Sequence, residues 1–157
     1  MSRKGAVVAL AVLMAWLSGC AEQRTDRPPV VRYGESTCVD CDMIISDERF
    51  ASATMVRDER GGVASLLFDD IGDQIRYERE HPELKIEARW VHDYGTKAWL
   101  VAERAWYVKA EALHTPMASG IAAFDKREDA EAMAKEFAGD VLGFGALWVK
   151  EHNGHGR

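Results

Sequence analysis

Residues 50–80 read FASATMVRDERGGVASLLFDDIGDQIRYERE, and this stretch decides the fold. Phe50 to Val56 is strand-like, Asp58-Glu59-Arg60-Gly61-Gly62 is turn chemistry, and Val63 to Phe68 is a second strand. Two such runs joined by a short Gly-containing loop read as a β-hairpin. Asp69 stands where a helix N-cap is wanted. From Ile71 to Glu80 the apolar Ile71, Ile75 and Tyr77 suit a short helix.

The same order recurs downstream. Ala98 to Val108 holds strand-like Trp99, Leu100, Trp106 and Tyr107, a loop with Pro116 follows, and Gly120 to Phe124 is the next strand. Asp125 is the expected cap of a helix from Glu128 to Phe137, rich in Ala, Glu, Met and Lys and stopped by Gly139. The two junctions align as Phe68-Asp69-x-x-x-Asp73 and Phe124-Asp125-x-x-x-Asp129. Further strands are expected at Lys85 to Val91 and Val141 to Val149. The reading is an α+β fold of two ββαβ units, an internal duplication whose sheets are covered on one face by helices. The halves are placed at about 44–84 and 85–150, inside a domain of residues 37–150.

The 157 residues carry 20 Lys+Arg against 26 Asp+Glu, a net charge of −6, and are 47% hydrophobic and 29% charged. That apolar content excludes a disordered chain, and the acidic balance argues against nucleic acid as a partner. Only one apolar run is long enough to interest a membrane. Arg3 and Lys4 precede Gly5 to Leu17, a run shorter than the roughly 20 residues of a spanning helix but suited to a signal peptide. Leu17-Ser18-Gly19-Cys20 resembles the lipobox of bacterial lipoproteins. Residues 1–19 are therefore read as a signal peptide and Cys20 as the lipidated residue of the mature chain. The compartment implied is oxidising and periplasm-facing, and by resemblance to enterobacterial sorting Ala21 after the lipid Cys favours the outer membrane. Residues 20–36, with Pro28 and Pro29, read as a flexible tether, and residues 151–157 as a disordered tail.

The densest chemical signal is Cys38-Val39-Asp40-Cys41-Asp42-Met43. A C-x-x-C pair can be a thiol–disulfide redox site, half a zinc site, a soft-metal site or a disulfide that ties the fold. Zinc would need two more Cys or His ligands, and no second C-x-x-C or H-x₃₋₅-H lies in the folded region. In an extended segment Cys41 and Met43 would point to the same side. A thiolate with a thioether selects Cu(I) over zinc. Met117 sits in a loop bounded by Pro116 and Gly120, where a packing Met is unexpected. His92 offers an imidazole that Asp93 could orient. Asp69 and Asp70 are explained by capping and by solvent, and no P-loop, G-x-G-x-x-G or Ser–His–Asp context occurs.

Several blocks in order resemble the NosL-type copper-binding lipoproteins, accessory proteins of nitrous oxide reductase. They are Cys20, then Cys41-Asp42-Met43-Ile44-Ile45, then Phe68-Asp69-Asp70-Ile71-Gly72, Val91-His92-Asp93-Tyr94, and Thr115-Pro116-Met117 with Gly120 and Phe124-Asp125. The resemblance implies two ββαβ units akin to part of the organomercurial lyase fold. It implies a metallochaperone and not an enzyme, binding Cu(I) and delivering it for the copper–sulfide centre of nitrous oxide reductase through a membrane ABC-type complex. Cys41 and Met43 carry over as ligands, Met117 and His92 lie in matching blocks, and Cys38 is a possible further thiolate. The alternative is a thiol–disulfide redox lipoprotein using Cys38 and Cys41.

Overall fold

The computed structural model describes residues 25–154, so the expected leader and lipidated Cys20 lie outside the described residues. The hairpin forms as read. Strand β1 (Ser52–Arg57) pairs antiparallel with β2 (Val63–Phe68). In the turn between them Asp58 accepts from the N–H groups of Arg60 and Gly62, both at 2.8 Å. Helix α1 (Ile71–Glu80) follows, and β3 (Ile86–His92) returns to pair with the free edge of β1. A short β4 (Trp99–Val101) completes a four-stranded sheet of order β2-β1-β3-β4.

A 3₁₀ turn at Ala102–Arg104 leads into the second unit. It contains β5 (Trp106–Lys109), β6 (Ile121–Phe124), helix α2 (Arg127–Phe137) and β7 (Asp140–Gly143), with sheet order β6-β5-β7. The order β2-β1-β3 in one sheet and β6-β5-β7 in the other is the same ββαβ topology written twice. Each helix begins at the third residue after the matching phenylalanine, Ile71 after Phe68 and Arg127 after Phe124. The two sheets touch edge to edge where Asp93 bridges Ala123 in parallel and Tyr94 N–H donates to the Ala123 carbonyl at 2.8 Å.

β1 occupies the centre of its sheet because it is buried on both faces from Ser52 to Val56. Its Thr54 is buried with partners on α1. Thr54 Oγ1 donates to Glu78 Oε1 at 2.6 Å and accepts from Gln74 Nε2 at 2.9 Å. Glu78 Oε2 in turn takes Arg89 Nε at 2.7 Å. Ile71 and Ile75 of α1 meet Val91, Tyr107, Ile121, Ala123 and Leu147 in the core between the two halves. Ala130, Met133 and Ala134 of α2 pack on Val108, Ala122 and Phe124 on the opposite face of the second sheet. That sheet is therefore covered on both faces.

Several expectations need correction. The division between halves falls after β4 and not at residue 85, because β3 completes the first sheet through β1. Asp70, not Asp69, caps α1: its backbone is extended and its side chain accepts from Gly72 N–H at 2.8 Å. Lys126, with no capping side chain, occupies the N-cap of α2, and Asp125 instead donates its N–H to Asp93 Oδ2 at 2.8 Å. The strand expected over 141–149 ends at Gly143, and α3 (Phe144–Gly154) follows it. The apolar run hid the period: Phe144, Leu147 and Trp148 recur at helical spacing and make one face against the core. The tail read from residue 151 is thus helical to Gly154. The expected tether is shorter than residues 20–36, since Pro29 is buried and Val31 and Tyr33 pack beside Phe68 and Ile45. Among the described residues no helix is long and apolar enough to cross a membrane.

The helix assignment at the C-terminus predicts a sharp asymmetry. Leu147 is fully buried and Val149 is 61% exposed, whereas a strand would put both on one face. Leu147→Ala is expected to lose about 2–5 kcal/mol in urea unfolding, and Val149→Ala less than about 0.5 kcal/mol. Similar losses at the two positions would restore the strand.

Candidate metal centre

The chain ahead of β1 folds back on itself. Thr37 and Ile44 form an antiparallel bridge, Cys38 N–H donates to the Met43 carbonyl at 2.8 Å, and Ile45 N–H to the Ser36 carbonyl at 2.8 Å. Asp42 closes the turn with φ of 59°, a left-handed conformation that Asp tolerates better than most residues. Val39 N–H reaches the Leu67 carbonyl at 2.9 Å, which pins the turn to β2. Residues 38–43 are therefore a tight turn and not an extended segment, so alternation along a strand does not set the directions of Cys41 and Met43. The turn instead grades their depth. Cys38 is fully buried beside Ile45, Ala51 and Phe68, Cys41 is half-buried, and Met43 is 57% exposed.

Beneath this turn lies the N-terminus of α1. Cys41 Sγ–H points at Asp69 Oδ1 at 3.5 Å, and Cys38 Sγ–H at Asp73 Oδ2 at 3.8 Å. One donor atom from each of Cys38, Cys41, Asp69 and Asp73 lies within 4.8 Å of all the others. Both cysteines are free thiols. Asp70 faces the other way and gathers the loop before β6: it accepts from Thr115 Oγ1 at 2.6 Å and from Met117 N–H at 3.0 Å, in addition to its cap bond. Gly72 permits this approach, because a Cβ there would lie 2.4 Å from Ser119 Cβ. Gly120 ends the loop at φ of 67°, where a Cβ would meet the Ala110 carbonyl oxygen at 2.3 Å. Consecutive aspartates thus hold the Cys41 thiol and the backbone of Met117, whose side chain is 40% exposed.

Burial dominates the electrostatics of this cluster. Burial pushes the Cys38 thiol up, opposed by the amide N–H groups of Cys41, Asp69 and Asp40 that face its sulfur. Burial likewise raises Cys41, and the neighbouring Cys38 and Asp69 add to the rise against the Met43 N–H. Asp73 is pushed up to about 6 by burial, with Arg76 pulling against it. Arg76 spans Asp73 Oδ1, at 2.7 Å, and Asp40. Without a cation the sulfurs are held as thiols, and metal binding must displace their protons.

His92 does not join this group as a ligand. It is 4% exposed, and its Nε2 and Nδ1 are both engaged, with Tyr33 Oη and the Lys97 carbonyl, each at 2.7 Å. Its ring also lies on Trp99 with centroids 3.8 Å apart. A carbonyl can only accept, so Nδ1 carries the proton and Nε2 accepts from the tyrosine. Tyr33 comes from the segment read as tether, and the pair fastens that segment to β3. The residues missed from sequence are Asp69 and Asp73, together with the bracing Asp70 and Arg76. The signal that could have found them is the Phe68-Asp69-x-x-x-Asp73 junction, which sets Asp69 just ahead of the cap and Asp73 in the first turn of α1.

A family model described as NosL matches residues 29–150 of this chain. A curated relative, the copper-binding lipoprotein NosL of Stutzerimonas stutzeri, is 30% identical over 92% of this chain and 80% of that protein. The crystal structure of the copper chaperone NosL from Shewanella denitrificans matches with a TM-score of 0.65, covering 76% of this chain and 93% of that one at 19% identity. That last likeness is one of fold: mixed α and β, with two antiparallel sheets and three helices.

The two hydrogen bonds at His92 predict a neutral, fixed imidazole. Burial lowers its pKa below the usual 6.5, so the unfolded chain takes up this proton first as pH falls. The stability His92 contributes is then present above about pH 6.5 and lost below it. Nitrogen NMR should find the Nδ1–H tautomer at neutral pH, unchanged when copper is added. A shift of the Nε2 resonance on loading would instead mark it as a ligand.

Proposed function

Because this chain belongs to the NosL family, we propose that it is a copper carrier that holds Cu(I) between Cys41, Met43 and Met117. The names of the similar proteins, a copper-binding lipoprotein and a copper chaperone, support the copper reading. The observation that carries the ligand set is local. Asp69 meets the Cys41 thiol and the adjacent Asp70 holds the Met117 backbone, so two sulfur residues from distant parts of the chain converge on one helix entrance. Met43 stands two residues beyond Cys41, on the same turn and open to solvent.

One thiolate and two thioethers are soft donors that select Cu(I). Few ligands leave an open position on the ion, so an incoming Cys, Met or His of a partner can bind before the first donor leaves. A closed four-ligand cage would retain the ion, as structural zinc sites do. Exposure of Met43 and Met117 puts the exchangeable donors on the partner's side, while Cys41 stays against the fold. The raised thiol pKa values speak against the thiol–disulfide reading, because an attacking thiolate needs a lowered one.

In the cell, the reading is a carrier and not an enzyme. It is tethered by lipid, such as palmitate, at Cys20, faces the periplasm, and is anchored to the outer membrane. Its cargo goes to the copper–sulfide centre of nitrous oxide reductase by way of a membrane ABC-type complex, as part of denitrification. The lipid and the remaining tether keep the domain at high local concentration near membrane partners.

Competition with a chromophoric Cu(I) chelator tests the ligand set. Cys41→Ser is expected to weaken binding by more than about 100-fold, and Met43→Leu and Met117→Leu by about tenfold each, near 1.4 kcal/mol. X-ray absorption of the copper-loaded chain should show sulfur neighbours only. Wild-type affinity in Cys41→Ser would overturn the assignment.

A further inference from the structure

A cleft unrelated to the cysteine turn lies at the free edge of the first sheet. β4 is the outermost strand there, and antiparallel pairing sets Trp90 opposite Val101 and His92 opposite Trp99. Trp90 and Trp99 therefore stand diagonally on one face, with Trp99 laid on the His92 ring. The 3₁₀ turn after β4 brings in Arg104, and the junction between β6 and α2 brings in Asp125, whose N–H is held by Asp93. Together they form an open cleft of about 210 Å³ lined by Trp90, Trp99, Leu100, Val101, Arg104 and Asp125.

Three of these groups lack a partner. Trp90 is 8% exposed, and its indole N–H is buried without an acceptor among the described residues. Arg104 and Asp125 are exposed, and neither has an ion-pair partner among the described residues, although both line the same cleft. A buried N–H without an acceptor is rare in native proteins and calls for one. We propose that this cleft binds the zwitterionic headgroup of a phosphatidylethanolamine-type lipid. The phosphoryl oxygens accept from Trp90 Nε1–H and from the Arg104 guanidinium, and the ammonium is set against Asp125.

The donor set selects this chemistry. Indole and guanidinium can only donate, so both require an acceptor that offers lone pairs in more than one direction. A phosphoryl group presents several oxygens and meets the guanidinium fork bidentately. Asp125 opposes a bare anion and is matched by a cation a few bonds from the phosphate. A primary ammonium can donate to that carboxylate and lie on the Trp99 face, whereas a trimethylammonium has no N–H to give. Trp99, Leu100 and Val101 supply an apolar wall for the glyceryl end, and tryptophans are favoured where an apolar body meets a polar membrane interface.

The lipid source follows from where the chain leaves the fold. Tyr33 Oη donates to His92 Nε2 at 2.7 Å, and the same ring carries Trp99, so the N-terminal segment is fastened beside the cleft. Tyr33 stands thirteen residues after Cys20, no more than ~45 Å of extended chain. A lipid on Cys20 holds this edge within reach of the headgroups. The cleft stands on its own geometry, and only the choice of a lipid over a soluble source rests on the anchor reading.

The test has a soluble arm and a membrane arm on the full chain as purified from cells, read by the indole N–H resonance that Trp90→Phe removes. O-phosphoethanolamine should shift this resonance saturably, and inorganic phosphate and phosphocholine should bind about fivefold or more weakly. Arg104→Gln should weaken O-phosphoethanolamine by about tenfold, and Asp125→Asn should abolish the preference over phosphocholine. Both side chains are exposed, so the variants should keep the fold and hold Cu(I) within about twofold of wild type. In nanodiscs the acylated chain should show the same shift with phosphatidylethanolamine and none with phosphatidylcholine alone. No saturable shift with O-phosphoethanolamine, or an unchanged one in Arg104→Gln, would sink the cleft. Binding of the soluble probe with no response to phosphatidylethanolamine discs would sink the lipid source. Mass spectrometry reads acylation separately: a chain without acyl mass at Cys20 would remove the anchor and the lipid source together, while the soluble result still decides the cleft.

Discussion

A single buried carboxylate holds the functional end of this molecule together. Asp70 is fully buried and accepts three hydrogen bonds: one from the first turn of α1, two from the loop that carries Met117. The cap alone contributes about 1 kcal/mol, and hydrogen bonds to a charged acceptor about 1.5–3 kcal/mol each. The positive end of the α1 dipole meets this carboxylate. The more important consequence is geometric. The loop belongs to the second ββαβ unit and the helix to the first, so Asp70 fixes one repeat against the other where the Cys41 turn and the Met117 loop meet.

From that fixed point the site grades from hard and dry to soft and wet. Asp73 and Cys38 lie at the bottom, Asp69 and Cys41 in the middle, Met43 and Met117 at the rim. Backbone hydrogen bonds set the depth of Cys38 and Cys41, through the bridge at Thr37 and Ile44 and the link from Val39 to Leu67. Rigid support below and exposed thioethers above are what an exchangeable soft-ion site requires. A ligand shell on a mobile loop would lose its preorganisation, and one wholly enclosed would be beyond a partner's reach.

Much of the fold was legible because its signals are local. The hairpin at residues 52–68, the α1 face of Ile71 and Ile75, and the repeated Phe-Asp junction all survive in the structure. What failed depended on tertiary context. The run from Val141 to Val149 is apolar throughout, so neither period stands out until the core selects Leu147 and Trp148 as a helical face. His92 looked like a ligand because imidazole often is one, yet the hydroxyl and the carbonyl that occupy its nitrogens come from Tyr33 and Lys97. The sulfur residues at 38, 41, 43 and 117 were visible by type. The acids beneath the thiols were not, since Asp69 and Asp70 differ by one position along a helix entrance and exchange the roles of cap and site neighbour.

Among the described residues, the two repeats differ at this junction. At the second junction Asp125 turns its N–H to Asp93, Lys126 occupies the cap position, and Asp125 and Asp129 are both exposed. No cysteine turn precedes β5, and Lys126 offers no carboxylate to gather a loop. The same Phe-Asp-x-x-x-Asp pattern therefore makes a solvated helix start in one copy and a buried donor set in the other. Burial is the difference: the Cys38–Met43 turn and the Thr115–Gly120 loop close over the entrance of α1, so the carboxylates of Asp69 and Asp73 meet thiols where those of Asp125 and Asp129 meet water.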